Sequence, residues 1–457
     1  MDREQELLRM LAEREIANNC QDVKVNGFSL LSYLRYDLRQ LYLKSQGLTT
    51  LTSRSSLNSI AVIKSVVRSF FQILLLFWKR PQIRYVFNAF PRIESINNRY
   101  VDKFTDPLIG LCNLHEKCII LEHSRGGVHL NPRIYEDLLV YSDFLDFRAR
   151  TLARLYCPFW GRTHKRDFEN AYQVMKATYG DVLKKKDFLF IACRCVIYTN
   201  SYYFFFKRLK AQFVIGPARS YQKACFYAAN KLGIQTIEIQ HGITYGESTM
   251  YSGYRDESLM PKLFLAFGDN KPSNVYGIDE SRIINIGWAL PELIKTFPPV
   301  LHVNEKDVLV VSDPEITEPM LRAVFQLAED NTQSRFFIRP HPHEVFSKEQ
   351  LILIKQSPNV LIQDNKINIS VILQSFTHVI GENSTVLYEA LSEGKKVGKL
   401  YFEGLHPRYL EDSDKECFWS ISNSKEFNLF LADSSSNKKP KTIYSPFDIE
   451  RFKAIMA

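Results

Sequence analysis

The chain has 457 residues, of which 45% are hydrophobic and 24% charged, and its formal net charge is +9. That length exceeds one ordinary hydrophobic core and implies two domains, while the composition excludes disorder and collagen-like repetition. The basic excess suits an anionic ligand or an anionic membrane surface. No run of Arg and Lys interleaved with aromatics matches a nucleic-acid module, so nucleic acid is not an expected partner.

The amino terminus, Met1-Asp2-Arg3-Glu4, lacks the basic-then-apolar design of a signal peptide. The eight Cys, at 20, 112, 118, 157, 193, 195, 225 and 417, form no zinc-type spacing and no dense disulfide framework. Cys193, Cys195 and Cys225 sit in apolar stretches, where a thiol packs as a small hydrophobe. A reducing, cytoplasmic location without a bound metal is expected. The longest apolar stretch runs from Ile60 to Trp78, with Lys64, Arg68 and Gln72 at helical spacing. A membrane span needs about 20 nearly uncharged residues, so a buried helix is the first expectation. A helix lying on the inner face of the cytoplasmic membrane, helped by Arg80 and Arg84, is the second.

Strands are expected at Arg84 to Asn88 and Cys118 to Glu122. Glu122, at the end of the second, is a candidate catalytic base, as are the carboxylates within Asp102 to Asp106. Residues 133 to 210 read as mainly helical. The pattern then alternates: strand Phe213 to Ile215, helix Arg219 to Leu232, and strands Gln235 to Gln240, Leu263 to Phe267 and Ile283 to Ile286. Gly216-Pro217-Ala218-Arg219-Ser220 opens a helix after a strand, which makes Arg219 a cleft candidate. His241 ends a strand and is followed by Gly242, a residue that permits a sharp bend; such a His serves as a general base or a phosphate donor.

Beyond prolines at 291, 298 and 299 the alternation is clearest. Strands at Asp307 to Val311, Arg335 to Ile338, Asn359 to Ile362, Thr377 to Ile380 and Lys396 to Leu400 are separated by helical segments. Such βαβ succession makes a doubly wound parallel sheet. The expected division is 1–290 as an acceptor-side α/β domain with helical elaboration, 291–306 as linker, and 307–435 as a nucleotide-binding domain. A tail, 436–457, is expected to pack back on the first domain.

Ligands of such sheets bind beyond the carboxyl ends of the strands. Arg339-Pro340-His341-Pro342-His343-Glu344 follows one strand, and its Arg and two His are phosphate-donor candidates. Gly381-Glu382-Asn383-Ser384-Thr385 follows another and opens a helix, whose unpaired N–H groups form an anion site with Ser384 as N-cap. Glu389, one turn on, is placed to accept from ribose hydroxyls. No Gly-Lys-Ser/Thr phosphate loop, Gly-x-Gly-x-x-Gly or Gly-x-Ser-x-Gly occurs.

The succession Ile239-Gln240-His241-Gly242, Phe267-Gly268-Asp269, Ile286-Gly287, Arg339-Pro340-His341-Pro342, Ser384-Thr385 and Glu389-Ala390-Leu391 resembles bacterial surface-polysaccharide glycosyltransferases of the GT-B type. Polysialyltransferases and teichoic-acid glycerophosphotransferases are similar more loosely. The resemblance implies two Rossmann-like domains facing across a cleft, a nucleotide-sugar donor, no cofactor and no obligatory metal. Its acceptor would be an oligosaccharide or lipid-linked saccharide of a capsule or lipopolysaccharide. By similarity Arg339, His341, His343, Ser384 and Thr385 hold donor phosphates, Glu389 the ribose, and His241 faces the transferred group. UDP-, GDP- and CMP-linked sugars stay open. So do two other readings: a sugar-nucleotide epimerase or hydrolase, and a catalytically silent scaffold in polysaccharide assembly.

Overall fold

The computed structural model describes residues 3–48, 59–79, 82–90, 93–242, 248–269, 277–298, 301, 303–341, 344–364, 367–409, 412–433 and 444–457. Two compact units divide them. The first comprises Met1–Ile93, Asp102–Ala266 and Lys271–Asn285; the second comprises Glu94–Val101, Phe267–Asn270 and Ile286–Ala457.

The first unit is built on a seven-stranded parallel sheet. Its strands are β1 (Tyr85–Asn88), β2 (Cys118–Glu122), β3 (Leu139–Tyr141), β4 (Phe213–Pro217), β5 (Gln235–Ile239), β6 (Leu263–Ala266) and β7 (Ile283–Asn285). They lie in the order β7-β6-β5-β4-β1-β2-β3, with every pairing parallel. β1, β2 and β4 are buried at every residue, as strands covered on both faces must be. The chain winds outward from β1 to β3, then returns to the other side of β1 for β4 to β7. Helices α1 (Arg3–Ala17), α2 (Leu30–Ser45) and α3 (Ser59–Lys79) precede the sheet, and α4 (Asp143–Thr163), α5 (Lys165–Tyr179) and α6 (Lys185–Leu209) make the long return crossover. The helical elaboration expected in this half is therefore real, and β3 is the strand hidden within its 133–210 segment.

A buried charge pair knits the amino-terminal helices to that crossover. Arg39 of α2 donates through Nε and NH2 to the two carboxylate oxygens of Glu15 in α1, each at 2.7 Å, and Tyr179 of α5 donates to the same Glu15 at 2.7 Å. Both charged side chains are fully buried. Removing one partner of such a pair strands the other charge away from water, at a cost of about 3–5 kcal/mol.

The second unit repeats the plan with six parallel strands: β8 (Val308–Val311), β9 (Phe336–Arg339), β10 (Val360–Ile362), β11 (His378–Gly381), β12 (Lys396–Leu400) and β13 (Trp419–Ile421), in the order β10-β9-β8-β11-β12-β13. Helix α7 (Lys223–Lys231) follows β4 in the first unit; α8 (Thr317–Asp330), α9 (Ile369–Ser375) and α10 (Thr385–Ser392) follow β8, β10 and β11 in the second. α8 buries Met320, Leu321, Ala323, Val324, Leu327 and Ala328, the three-and-four spacing that puts one apolar stripe on the sheet. Each unit thus has the dinucleotide-fold order in which three strands wind one way and the remainder the other. The expected α/β class with two Rossmann-like domains is what the two sheets show.

Several local expectations change. The stretch Ala289 to Pro291 leads into a short helix, Leu290–Ile294, with Pro291 in its first turn and Leu290, Leu293 and Ile294 buried. Tyr444 to Asp448 runs beside Phe267, Ile286 and Trp288, with Ser445 N donating to Phe267 O at 2.7 Å and Asp448 N to Ile286 O at 2.8 Å. These residues all cluster with the second unit. All eight Cys are unbridged, seven of them buried, in keeping with packing as small hydrophobes. α3 is a helix as expected, but it is not buried: only 17% of its apolar window lies inside the protein.

Where each sheet reverses its winding, one glycine is required. A Cβ on Gly216 of β4 would stand 2.9 Å from the carbonyl oxygen of Asn88 on β1; a Cβ on Gly381 of β11 would stand 2.9 Å from that of Val311 on β8. Both obstacles are backbone atoms, which cannot yield as the end of a flexible side chain can. Gly381→Ala should therefore lower stability by about 1–3 kcal/mol. Gly242→Ala, whose Cβ would meet nothing within 4 Å, should stay within about 0.5 kcal/mol of the parent. Urea unfolding of the two variants measures the difference.

Candidate functional site

In the second unit the reversal lies between β8 and β11, so the turns after β8, β9 and β11 gather at one end of the sheet. The turn after β9 is organised by Glu344. Its carboxylate accepts from Ser312 Oγ at 2.8 Å and Thr317 Oγ1 at 2.7 Å through one oxygen, and from His341 N at 2.9 Å through the other; Glu344 N donates back to His341 O at 2.8 Å. One buried carboxylate thus fixes His341 against the end of β8 and the start of α8. Glu344 closes the hexapeptide singled out in the sequence but carried no expected role there; its place beside two His and two Pro was the available signal. His343 lies outside the described residues.

Arg339 does something other than the phosphate clamping expected of it. NH1 donates to the carbonyl oxygen of Asp364 and NH2 to that of Ile367 at 2.5 Å. Burial lowers its pKa, with the Asp364 and Glu94 carboxylates working in the opposite sense. The guanidinium holds the connection after β10 against the sheet, so a phosphate could claim those N–H groups only by displacing carbonyls that already accept them.

The turn after β11 matches its expectation more closely. Ser384 is the N-cap of α10, its hydroxyl accepting from Val386 N at 3.3 Å, and Thr385 is the first helical residue. Helix starts of this kind present backbone donors and the positive end of the dipole. Glu382 and Asn383 face away from that role. The Glu382 carboxylate accepts from His406 N at 2.5 Å, while Asn383 accepts from Arg408 N at 2.6 Å and donates to His406 O at 3.2 Å. They tie the 406–408 loop beneath the turn. Lys399 of β12 completes the anchor: fully buried, it donates to Glu382 O at 3.0 Å and to Arg408 O at 2.5 Å, with its ammonium over the rings of Tyr409 and Phe418. Burial pulls its pKa down to about 8, against the pull of Glu382 and Asp414. Asp414 belongs to the one Asp-x-Asp triplet of the chain, Asp412-Ser413-Asp414; buried near Lys399, it serves there as an internal counter-charge. Glu389 is half-buried one turn into α10, and its charge helps burial push the Glu393 carboxyl up to about 7.

In the first unit the reversal lies between β1 and β4. A cavity of about 620 Å³ opens there, walled by the ends of β1 and β2, the start of α7, and α2 and α6. Its lining is mostly apolar, and Tyr33, Tyr198, Tyr202 and Tyr221 project into it together with Arg125 and Lys223. Glu122 reaches its wall but is already engaged. One carboxylate oxygen accepts from His129 Nδ1 at 2.7 Å and the other from Arg133 NH1. His129 Nε2 meets Asp143 at 3.0 Å and Ser65 Oγ at 3.0 Å, and its ring stacks on Tyr141 at 3.4 Å. Arg133 also reaches Asp106 at 3.3 Å. Asp102 and Asp106, expected as alternative bases, are fully buried: Asp102 accepts the N–H groups of Phe90, Phe104 and Thr105, and burial pushes the Asp106 carboxyl up to about 7. A carboxylate with both oxygens committed is a poor base, so Glu122 acts on this cavity as a structural wall. His129 and Arg133, which lock it, gave no periodic or motif signal in the sequence.

His241 heads a second chain of bonds. Its Nδ1 lies 3.0 Å from Tyr251 Oη; Tyr251 donates to Glu238 at 3.3 Å; and Glu238 holds Arg219 through NH1 at 2.6 Å and through its backbone N–H at 2.9 Å. The ring of His241 also meets Phe90, a cavity wall, with centroids 5.9 Å apart. Arg219 and His241 are therefore brought together through Tyr251 and Glu238, whereas Glu122 belongs to a separate cluster. Gly242 lacks left-handed backbone, so the bend expected of it is not what its glycine supplies. Gly268 is buried with the second unit, beside the Phe267–Trp288–Tyr444 contact. Among the described residues no group of three or more His, Cys, Asp or Glu is disposed to hold a metal ion.

These features define a protein of two doubly wound α/β units, each with a strand-end site at its winding reversal. No known family model matches the chain, and no curated protein does. Among solved structures it is similar to the UDP-GlcNAc 2-epimerase from Methanocaldococcus jannaschii, at 11% identity and a TM-score of 0.48 over 82% of this chain and 99% of that one. It is also similar to the UDP-GlcNAc 2-epimerase from Neisseria meningitidis bound to UDP-GlcNAc, at 14% and 0.48 over 82% and 98%. The lipopolysaccharide outer core galactosyltransferase WaaB, in its apo form, gives 11% and 0.39 over 82% and 99%. Likenesses this distant carry no weight beside the strand orders, which establish the two Rossmann-like domains by themselves.

The His129 cluster generates a pH test. Burial works against the imidazolium, but hydrogen bonds to Asp143 and Glu122 outweigh it and raise the pKa above 6.5. Stability from protonated His129 is then fully present below the unfolded-state value and is lost as pH rises through the folded one. The urea midpoint should therefore fall as pH rises above about 6.5, the ordinary His value. His129→Gln should flatten that slope while lowering stability at pH 6.

Proposed function

We propose that the protein is a glycosyltransferase that moves a sugar from a nucleotide-linked donor to an oligosaccharide or lipid-linked saccharide acceptor of a bacterial surface polysaccharide. The donor phosphates would sit at the turns after β9 and β11, met by His341 and the start of α10 around Ser384 and Thr385, with Glu389 toward the ribose. His341 and the start of α10 would supply the donors and positive potential a leaving nucleotide needs, without drawing on a metal ion. The acceptor would lie in the tyrosine-lined cavity of the first unit, where aromatic faces and hydroxyls suit a saccharide. His241, its ring oriented by Tyr251 beside the cavity wall, would take the proton of the attacking hydroxyl.

The observation that carries this reading is the presence on one chain of two strand-end sites with different chemistry: a turn rich in N–H donors, and a 620 Å³ cavity of mainly apolar lining. A transferase has two substrates to hold. A sugar-nucleotide epimerase or hydrolase, the second reading, has one and would consume its donor alone. NMR of donor and product with and without a saccharide acceptor separates the two.

Two outcomes are expected. UDP, GDP, CMP or CDP should raise the melting temperature by mass action, and His341→Ala should weaken that nucleotide at least about tenfold, as loss of a charge-assisted hydrogen bond does. Equal affinity in the variant removes the donor assignment. His241→Ala should lower kcat by about 10²–10⁴ with donor affinity unchanged in calorimetry; normal turnover would make His241 structural.

A further inference from the structure

We propose that α3 is an interfacial helix that docks this protein on an anionic phospholipid bilayer. The proposal goes beyond the enzymatic reading and stands independently of it. Its basis is an inversion of the usual amphipathic arrangement. On soluble proteins the apolar stripe of a surface helix faces the core; α3 instead turns Ser65, Ser69 and Gln72 inward, with Ile73, Leu76 and Phe77 anchoring its end on the core. Ser65 Oγ meets His129 Nε2 at 3.0 Å. Ser69 Oγ donates to Tyr141 O and accepts from Phe144 N at 3.0 Å. Gln72 accepts from Tyr141 N at 2.9 Å and donates to Leu139 O at 3.3 Å. Through these side chains α3 serves as the hydrogen-bonding neighbour that edge strand β3 would otherwise lack.

The opposite face is apolar and open. Ile60, Ile63, Val67, Phe71, Leu74 and Trp78 recur at three- and four-residue intervals, with exposures from 49% to 80%. Phe70 and Leu75 widen the stripe. Apolar patches beyond a few hundred Å² are rare on soluble monomers and mark interaction surfaces, and a Trp at the end of such a stripe is typical of a membrane interface.

Charge identifies the partner. α3 carries Lys64, Arg68 and Lys79 and no acidic residue. The adjoining α4, which meets α3 through Phe70 and Phe144, exposes Arg154 and Arg162, while its Arg150 is paired with the buried Asp146 at 2.5 Å. An apolar stripe flanked by exposed basic groups, with no acidic residue on the helix itself, is the pattern that binds an anionic lipid surface. At 21 residues α3 is long enough to span a bilayer, but spanning would strip Ser69 and Gln72 from β3 and leave that strand edge unsatisfied. The helix therefore lies along the surface. Gly127, in the rim loop of the first-unit cavity, packs so closely on the backbone of Ala61 and Val62 that a Cβ there would come within 2.7 Å of it. A bilayer seated on α3 would thus lie beside that rim.

Flotation of the full chain with vesicles of phosphatidylglycerol and phosphatidylcholine, against phosphatidylcholine alone, tests the proposal without reference to turnover. The chain should float with the anionic vesicles. Leu74→Glu combined with Trp78→Glu, both exposed and so leaving the circular dichroism unchanged, should cut partitioning at least about tenfold. Arg154→Glu combined with Arg162→Glu, both exposed, should abolish the preference for the anionic vesicles. A parent chain that stays soluble, or a Leu74/Trp78 variant that partitions like the parent, overturns the proposal. Equal binding to both vesicle types overturns the anionic assignment. A parent dimer that the Leu74/Trp78 variant converts to a monomer, with no vesicle binding by either, assigns the face to a second copy of this chain instead.

Discussion

A parallel sheet cannot be extended by hairpins, so each new strand needs a crossover, and a doubly wound sheet must reverse its winding once. At that reversal the two crossovers leave in opposite directions, and neither covers the strand ends between them. Both units of this protein obey the constraint in the same way. In each, the fourth strand approaches the first so closely that only glycine fits, Gly216 beside Asn88 and Gly381 beside Val311. The cavity of the first unit opens beyond the first of these pairs, and the Ser384 helix start follows the second. Every candidate ligand site traces back to this single topological requirement.

What differs between the units is how the reversal is bridged. The second unit does it with one short helix, Ile369–Ser375. The first spends α4, α5 and α6 on it, and α6 with the earlier α2 supplies Tyr33, Tyr198 and Tyr202 of the cavity. Buried charges then fix these added parts. Glu15 with Arg39 joins α1, α2 and α5; Glu122, His129, Asp143 and Arg133 lock the loops after β2; Glu238 with Arg219 holds the turn after β4. Each pair sacrifices hydration for direction. A buried ion satisfied by two or three partners tolerates few alternative loop geometries, which is what a binding wall requires.

The same logic separates residues that resemble ligands from residues that build a site. Arg339 and Glu122 have the side chains and the strand-end positions of functional groups, yet both are committed to neighbouring backbone or side chains. Glu344 and Lys399 had no functional profile, yet they set the two turns around His341 and Ser384. A strand-end position selects a neighbourhood, and only the partners present in it decide what a charged group does there.

Local pattern was sufficient to determine the central strands of both sheets, the alternation that makes them parallel, and the turns at which sites form, because side-chain periodicity and turn chemistry act over a few residues. The expected strand at Cys118 to Glu122 and the N-cap at Ser384 appear where the pattern put them. Short edge strands such as β3 and β13 were not legible, since three residues carry too little periodicity to stand out. Contacts between segments far apart in the chain were beyond its reach. His129 meets Glu122, Asp143 and Ser65 only after β2, β3 and α3 have assembled. For α3 the sequence determined an amphipathic apolar helix and left its orientation undetermined. The edge of β3 decided that: it offered Ser69 and Gln72 hydrogen-bond partners inside, His129 offered one to Ser65, and the face of Ile60, Ile63, Val67, Phe71, Leu74 and Trp78 was turned outward.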